Sequence, residues 1–467
     1  MELKKTVLKA LSNLVILVLV FFISLQVINS SIFDEDLKPE IIPMLESKPI
    51  KKIEPGNAFI GLWGLYANSD KDYYESGVQM MELIEKNRAS GKRKPITTKE
   101  VRATVGFGEE MADRQWEKSH GRSCYMNTHN CLERRSKLSK TESIISPRLS
   151  VLLKRYSQIL QMENYDNVIE TNLLWRSPRF NIMRDLGYVT FSKSYSNWNN
   201  QKFLNQITRD TKFWKLLLNQ NKNLYHNNAI THSLWINYKY LSEFIKNRTI
   251  SEEQKLIIEK LLINLTKHET DFQRIFEMEL ITKIKHTNNA FLYRKRLYPN
   301  NLEGKLIRTL WQKNATLNDF YDNSNLSIKC LSELPVAEYF QFAKGYKSHC
   351  GLPKHVTIKY SAVDFYKNFH IYNFFGKHIA KIESKIDPNY LARLYDLIGI
   401  INLVKLQLEL KSLSEGEIAE AIKKSTIKNH YTGEPMDYDQ KKNEIFFKCL
   451  YTNRYREIYK LECNIKL

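Results

Sequence analysis

Three observations predict a mainly α protein with an N-terminal transmembrane anchor, a set of helical hairpins and a small C-terminal hairpin. An apolar run fills residues 11–28. Apolar side chains recur every three or four residues through much of residues 147–330, which is the period of helices that bury one face. Residues 444–450 and 457–465 flank a short connection and are predicted to pair as a closing hairpin.

The apolar run at residues 11–28 is close to the length that crosses a bilayer, which is about 20 residues. Because lysine favours the cytoplasmic side, the flanking charges predict a single-pass inner-membrane protein with its N-terminus in the cytoplasm and its bulk in the periplasm. A cleaved signal peptide is the alternative, but Ile28-Asn29-Ser30 lacks the small residues of a cleavage site. The lysines before the run and the carboxylates after it are Lys4, Lys5, Lys9, Asp34, Glu35 and Asp36.

Composition and patterning divide the chain into five regions. Residues 1–30 are the transmembrane signal anchor, and four prolines with dense charge predict a linker over residues 31–56. Residues 57–146 form a loop-rich N-terminal region that contains a cysteine pair. Residues 147–330 are predicted to form the helical-hairpin array, and residues 331–467 a C-terminal helical region with a closing turn and hairpin.

Four successive helices are predicted in the array, with short connections between them: Arg179–Ser196, Asn199–Asn219, Asn223–Lys246 and Ser251–Lys285. Helices of this length joined by short turns pack as antiparallel pairs. Two such pairs resemble a tetratricopeptide-like array. The consensus spacing of that repeat is absent, so an irregular helical bundle is the alternative.

The net charge of +20 over 467 residues favours acidic partners, but the lysines are scattered. A nucleic-acid interface needs a concentrated basic footprint, so the scattering argues against one. With 43% apolar residues the chain can bury a core, which excludes a disordered class.

Six cysteines lie beyond the anchor. In an oxidising compartment, cysteines that are close in sequence are usually paired. Sequential pairing is the simplest of the possible connectivities. The predicted disulfides are therefore Cys124–Cys131, Cys330–Cys350 and Cys449–Cys463.

The polar stretch at residues 106–131 holds the candidates for a catalytic site, which are Glu109, Glu110, Asp113 and His120. They predict an envelope hydrolase acting on peptidoglycan or phospholipid only if they converge in one cleft. A zinc site from histidines and cysteines of this stretch is disfavoured, because the two cysteines are spaced more widely than zinc-ligand pairs. The sequence therefore predicts no cofactor and no metal.

Four short segments carry a resemblance: Asn57–Ala67 (NAFIGLWGLYA), Asp210–Leu218 (DTKFWKLLL), Ala392–Leu408 (ARLYDLIGIINLVKLQL) and Tyr431–Tyr438 (YTGEPMDY). Together with the anchor, they resemble a group of membrane-anchored proteins of Gram-negative bacteria. The resemblance implies an envelope location and a mainly helical fold. No activity is established for that group, so the resemblance implies no site residues.

These observations favour a non-enzymatic protein that is held in the membrane by residues 11–28 and binds a protein partner in the periplasm. The partner would be an envelope-assembly component or a toxin for which this chain is the immunity protein. The alternatives are the envelope hydrolase and a basic surface that binds anionic lipid.

Overall fold

The computed structural model of the chain describes residues 2–46, 53–89, 100, 130–133, 147–168, 178, 180–197, 199–297, 310–343, 372–383, 389–450 and 462–467. Within these residues the fold is mainly helical, as the sequence predicts. The chain divides into two compact units. Unit 1 comprises Met1–Lys48, Phe276–Glu333 and Lys347–Asp387, and unit 2 comprises Pro49–Ile275, Leu334–Tyr346 and Pro388–Leu467.

The described helices are α1 (Glu2–Ile28), α2 (Ile42–Leu45), α3 (Ala58–Gly64), α4 (Tyr73–Ala89), α5 (Pro147–Ile159), α6 (Phe180–Ser196), α7 (Asn200–Gln220), α8 (Leu224–Asn247), α9 (Glu252–Leu261), α10 (Phe272–Leu297), α11 (Lys313–Glu333), α12 (Val336–Ala343), α13 (Phe374–Glu383), α14 (Asn389–Leu410) and α15 (Glu415–Lys424). A 3-10 turn follows α1 at Ser31–Phe33. The strands are β1 (Asp437–Asp439), β2 (Glu444–Lys448) and β3 (Glu462–Lys466).

Helix α1 contains the one span, Lys5–Ile28, that is long and apolar enough to cross a membrane among the residues that the structure describes. The centre of this 24-residue span, Leu14–Ile23, is an unbroken series of aliphatic and aromatic side chains, and its charged residues lie in the first turns. Only 6% of its apolar window is buried by the rest of the protein.

In unit 1, the segment after α1 is bonded to α11. The Asp34 carboxylate accepts hydrogen bonds from the backbone N–H groups of Asn314 (2.9 Å) and Ala315 (3.0 Å), at the end of α11 where a negative charge is favoured. The backbone N–H of Lys38 donates to the Asn318 side chain (3.0 Å). The first part of the region predicted as a linker, residues 31–56, is therefore docked on unit 1.

In unit 2, α8 lies against α6, α7 and α14. Aromatic side chains fill these contacts: Phe203 of α7 stacks on Phe244 of α8 with ring centroids 4.7 Å apart, and Trp214 is fully buried. Aromatic rings bury large areas and dominate core energetics. The apolar spacing of this region therefore corresponds to a core between helices, to which aromatic rings contribute.

The loop after α3 is organised by a buried arginine from α5. Arg155, which is 4% exposed, donates to the carbonyl oxygens of Leu65 (3.1 Å), Asn68 (2.7 Å) and Lys71 (2.8 Å). These carbonyls belong to the chain between α3 and α4, where buried backbone acceptors need partners from outside a helix. A planar guanidinium with five donors suits such a cluster.

The prediction of one helix over Ser251–Lys285 is wrong, because α9 ends at Leu261 and α10 begins at Phe272. Thr266 and Glu269 exchange hydrogen bonds between side chains and backbone N–H groups (2.6 and 3.2 Å). Threonine, asparagine and aspartate compete with a helix in this way by bonding nearby backbone groups.

The three strands form an antiparallel sheet in the order β1-β2-β3, with Tyr438 opposite Ile445 and Phe447 opposite Cys463. The sequence predicts the β2–β3 pair and the disulfide that joins Cys449 to Cys463, whose Cα atoms are 5.6 Å apart. Ile445 and Phe447 are both fully buried, and the sheet packs on α14.

Candidate functional site

A small cleft opens along one face of α8, and it gathers titratable side chains. Lys239, Glu243 and Lys246 follow each other at spacings of three or four residues, which places them on the same side of the helix. Ile465 and Lys466 of β3 form the facing wall. The other residues that line the cleft are Asn130 and Ser242.

The Glu243 carboxylate binds a separate segment of the chain at residues 130–133. Its two oxygens accept the backbone N–H groups of Cys131 (2.6 Å) and Leu132 (2.7 Å). Burial raises the pKa of Glu243 to about 7, while these two hydrogen bonds and Lys239 act in the opposite direction.

Lys239 lies one helical turn before Glu243. Its ammonium donates to the backbone carbonyl of Asn464 in β3. Burial lowers the pKa of Lys239 to about 8, and the negative charges of Glu243 and Glu444 limit the decrease. Glu444 also lies 3.8 Å from the Lys466 ammonium.

A glutamate with a pKa of about 7 beside a lysine with a pKa of about 8 has the composition of an acid–base site. Both groups already form hydrogen bonds within the protein. The carboxylate accepts from two backbone N–H groups, and the ammonium donates to a carbonyl of β3. A substrate would have to displace these bonds before either group could transfer a proton. The geometry therefore supports a structural role, in which Glu243 holds residues 130–133 on α8 and Lys239 holds β3 on α8.

A second buried carboxylate, Asp210 of α7, is saturated with donors. Tyr156 Oη donates to Oδ1 (2.5 Å), and Trp214 Nε1 (2.8 Å) and Asn237 Nδ2 (2.7 Å) donate to Oδ2. Burial raises the pKa of Asp210 to about 6, and the three hydrogen bonds oppose that shift. The network joins α5, α7 and α8.

A third carboxylate, Asp396 of α14, lies beside the disulfide. Its Oδ1 accepts from Tyr431 Oη (2.7 Å) and from the backbone N–H of Leu450 (3.0 Å). A carboxylate oxygen of Asp396 and the sulfurs of Cys449 and Cys463 lie within 4.8 Å of one another. The sulfurs are bonded to each other, so neither is a thiolate that could bind a metal ion.

Of two histidines in α8, His226 is buried in the core and His232 is half-buried. His226 shares a hydrogen bond with Tyr165 Oη (3.2 Å) and packs against Phe180 at 5.0 Å between ring centroids. Burial lowers the pKa of His226 and of His232 to about 3. Both are therefore neutral at physiological pH.

The catalytic candidates predicted from sequence, which are Glu109, Glu110, Asp113 and His120, lie outside the described residues, so their convergence stays a prediction. Cys131 and Cys330 are both disulfide-bonded. Their predicted partners Cys124 and Cys350 also lie outside the described residues, and these two pairings stay predictions.

Sequence reasoning did not select Asp210, Lys239, Glu243 or Asp396. A signal was present for the two aspartates, because each interrupts an otherwise apolar and aromatic helix face, and a buried carboxylate needs partners. Lys239 and Glu243 resemble an ordinary exposed pair at a spacing of four residues. Their burial depends on segments that are distant in sequence.

The four segments on which the sequence resemblance rests form structural parts of the described fold. Asn57–Ala67 contains α3, Asp210–Leu218 lies in α7 and Ala392–Leu408 in α14, while Tyr431–Tyr438 leads into β1. No protein-family model, no curated protein and no solved structure matches the chain. Its function is therefore inferred from its own physical features.

Proposed function

We propose that the protein is a single-pass protein of the inner membrane, with its folded part in the periplasm, and that it binds a protein partner there without catalysing a reaction. The observation that carries the proposal is the bare apolar surface of α1. Its large apolar side chains from Val7 to Ile28 are 40 to 72% exposed, apart from Leu25. An apolar surface of this size is normally removed from water by a partner or a membrane. The hydrocarbon of a bilayer surrounds a helix on all sides.

The direction of insertion follows from charge. Lys4, Lys5 and Lys9 precede the apolar span, and lysine is enriched on the cytoplasmic side of membranes. The Cys449–Cys463 disulfide supports the same orientation, since disulfides persist in oxidising compartments such as the periplasm.

The non-enzymatic role rests on the carboxylates of unit 2. Asp210 and Glu243 each have both oxygens bonded to protein donors, so these groups stabilise the fold. Among the helices that the sequence assigns to the array, α6 contacts α7 and α8, and α7 contacts α9. We assign the partner-binding surface to the outside of this tetratricopeptide-like or irregular array, where Leu256 and Ile263 are 57% and 60% exposed.

The anchoring is tested with the full chain carrying a C-terminal reporter that is active only after export. We expect an active reporter, retention in carbonate-washed membranes and an intact N-terminus by mass spectrometry. Replacing Leu17→Lys and Leu19→Lys interrupts the span and should release the protein, whereas Leu256→Lys, on unit 2, should not. An inactive reporter, together with six alkylatable thiols, would exclude the proposal.

Partner binding is tested by affinity capture of the detergent-solubilised full chain from the envelope of the same organism. We expect one protein to be recovered in a fixed ratio and to be lost with Leu256→Asp. Leu326→Asp is the matched control, because Leu326 is 63% exposed on unit 1. Recovery of lipid alone contradicts the binding role and leaves the anchoring result intact.

A further inference from the structure

The apolar part of α1 is about as long as the hydrocarbon core of a bilayer is thick. Lys9 is the last charged residue before Ile28, which lies 19 positions later. At about 1.5 Å per residue, this distance is about 29 Å, close to the ~30 Å thickness of the hydrocarbon core. If Lys9 lies at one interface, Ile28 therefore lies at the other.

The next residue, Asn29, is fixed inside unit 1. It is 5% exposed, and its side chain donates to the carbonyl of Leu25 (3.0 Å) and accepts the backbone N–H of Asn373 (2.8 Å). The Gln312 side-chain amide donates to the Asn29 carbonyl. The last turn of α1 is thus held by unit 1 at the point where the helix leaves the bilayer.

The chain after Asn29 continues along unit 1. The backbone N–H of Phe33 donates to the Ser30 carbonyl (3.1 Å), and Tyr372 Oη donates to the Phe33 carbonyl (3.0 Å). Asp34 then binds the N-terminal end of α11. These bonds fix the 3-10 turn Ser31–Phe33 close to the end of the anchor.

This turn exposes two large apolar side chains. Ile32 is 85% exposed and Phe33 is 57% exposed, and they lie only four and five positions after Ile28. They are the next exposed large apolar side chains after those of α1. Apolar side chains at such a depth are stabilised by leaving water for the boundary between headgroups and acyl chains.

From this placement we infer that unit 1 is seated directly on the membrane, with Ile32 and Phe33 inserted into the boundary between lipid headgroups and acyl chains. The inference rests on the proposed anchoring by α1, and it names lipid as the binding partner of the turn. The anchor is then rigidly connected to the rest of unit 1, because Asn29 and Asp34, on the two sides of the turn, form hydrogen bonds with it.

The test places an environment-sensitive fluorophore on one introduced thiol in the full chain, reconstituted in phospholipid vesicles. The variants are Ile32→Cys in the turn, Val18→Cys in α1 and Leu326→Cys on α11, all of them exposed positions. Quenching groups are attached to the lipid acyl chains either near the headgroup or near the bilayer centre. Mass spectrometry confirms that one thiol per chain is labelled and that the natural cysteines stay paired.

We expect the label at position 18 to be quenched most by the deep groups. The label at position 32 should lose most of its emission to the shallow groups and be protected from aqueous iodide, while the label at position 326 should respond only to iodide.

Quenching at position 18 but not at position 32 overturns the seating and leaves the anchor intact. Protection of position 32 from iodide without lipid quenching also overturns it, since a protein would then cover the turn. No lipid quenching at position 18 overturns the anchor and the seating together.

Discussion

At the scale of single residues, Asp210 shows how unit 2 accommodates a buried carboxylate. It is 1% exposed, and its donors come from Tyr156, Trp214 and Asn237 on three different helices. Removing one donor from a buried carboxylate leaves part of its desolvation uncompensated. The network therefore stabilises one particular arrangement of α5, α7 and α8.

Replacing Tyr156→Phe removes the shortest of these hydrogen bonds and little volume. We expect the free energy of unfolding to fall by about 2 kcal/mol, the typical value for a bond to a charged group. Urea denaturation followed by tryptophan fluorescence measures the change. Tyr225→Phe is the control, because Tyr225 is 66% exposed, and an equal loss in both variants would contradict a special role for the network.

The pH dependence of stability gives a second prediction for Asp210. Burial raises its pKa from 3.8 to about 6, so the folded chain holds the proton more tightly than the unfolded chain does. The stabilisation that comes from protonated Asp210 is therefore present below about pH 4, and it is lost as the pH rises through about 6. The stability of the wild type relative to Asp210→Asn should fall by about 2 kcal/mol between pH 4 and pH 7, which is most of the effect expected at about 1.4 kcal/mol per pKa unit.

The measurement is the difference in unfolding free energy between the two proteins at each pH, which cancels the titration of other groups. His226, His232 and His430 have lowered pKa values, and they change stability in the opposite direction in both proteins. A difference that stays constant across this range would show that Asp210 has an ordinary pKa.

At the scale of elements, α14 and the sheet depend on one close contact. A Cβ atom at Gly399 would lie 2.2 Å from Cζ of Phe447, and Phe447 is fully buried in β2. The aromatic ring can therefore approach the helix only where the side chain is absent. This contact fixes the position of β2 along α14.

Replacing Gly399→Ala should therefore lower the unfolding free energy by about 2 kcal/mol, which is typical of overpacking a core. Gly416→Ala in α15 is the matched control, since nothing lies within 4 Å of its Cβ and alanine favours a helix. Phe447→Leu is expected to relieve part of the penalty when combined with Gly399→Ala. Thermal unfolding measures all of these variants, and equal effects of the two alanines would contradict the contact.

The elements also show where sequence reasoning works. The bounds of α6, α7 and α8 follow the predicted helices closely, because Asn199 and Asn223 cap the last two through hydrogen bonds to backbone N–H groups. The break before α10 lies in the polar segment Thr266–Asp271. The helical spacing on both sides of this segment suggests one continuous helix, whereas Thr266 bonds the local backbone there. The partners of Asp210 and Glu243 could not be predicted, because they come from distant parts of the chain.

At the scale of the whole molecule, each unit is assembled from three separate stretches of sequence. Unit 1 joins the segment after α1 to α11 through Asp34, across 280 positions. Such contacts between distant segments are difficult to predict from sequence. In the predicted linker over residues 31–56, the prolines and charges are the same whether the segment is free or docked. The capping role of Asp34 depends on a helix that is distant in sequence.

Replacing Asp34→Ala should destabilise unit 1 by about 1 kcal/mol, the usual value of a helix cap. Asp322→Ala is the matched control, because the ion pair of Asp322 with Lys38 is exposed and exposed pairs contribute about 0–1 kcal/mol. Hydrogen exchange of the first turn of α11 should accelerate in Asp34→Ala and stay unchanged in the control. Similar exchange in both variants would contradict the cap.

The long separation between Asp34 and α11 has a consequence for biosynthesis. At about 5–20 residues per second, the ribosome needs roughly 15 to 60 s to proceed from Asp34 to its partners. During that interval the acidic segment has emerged while the amides that it binds do not yet exist. The contacts between this segment and α11 are therefore among the later ones to form.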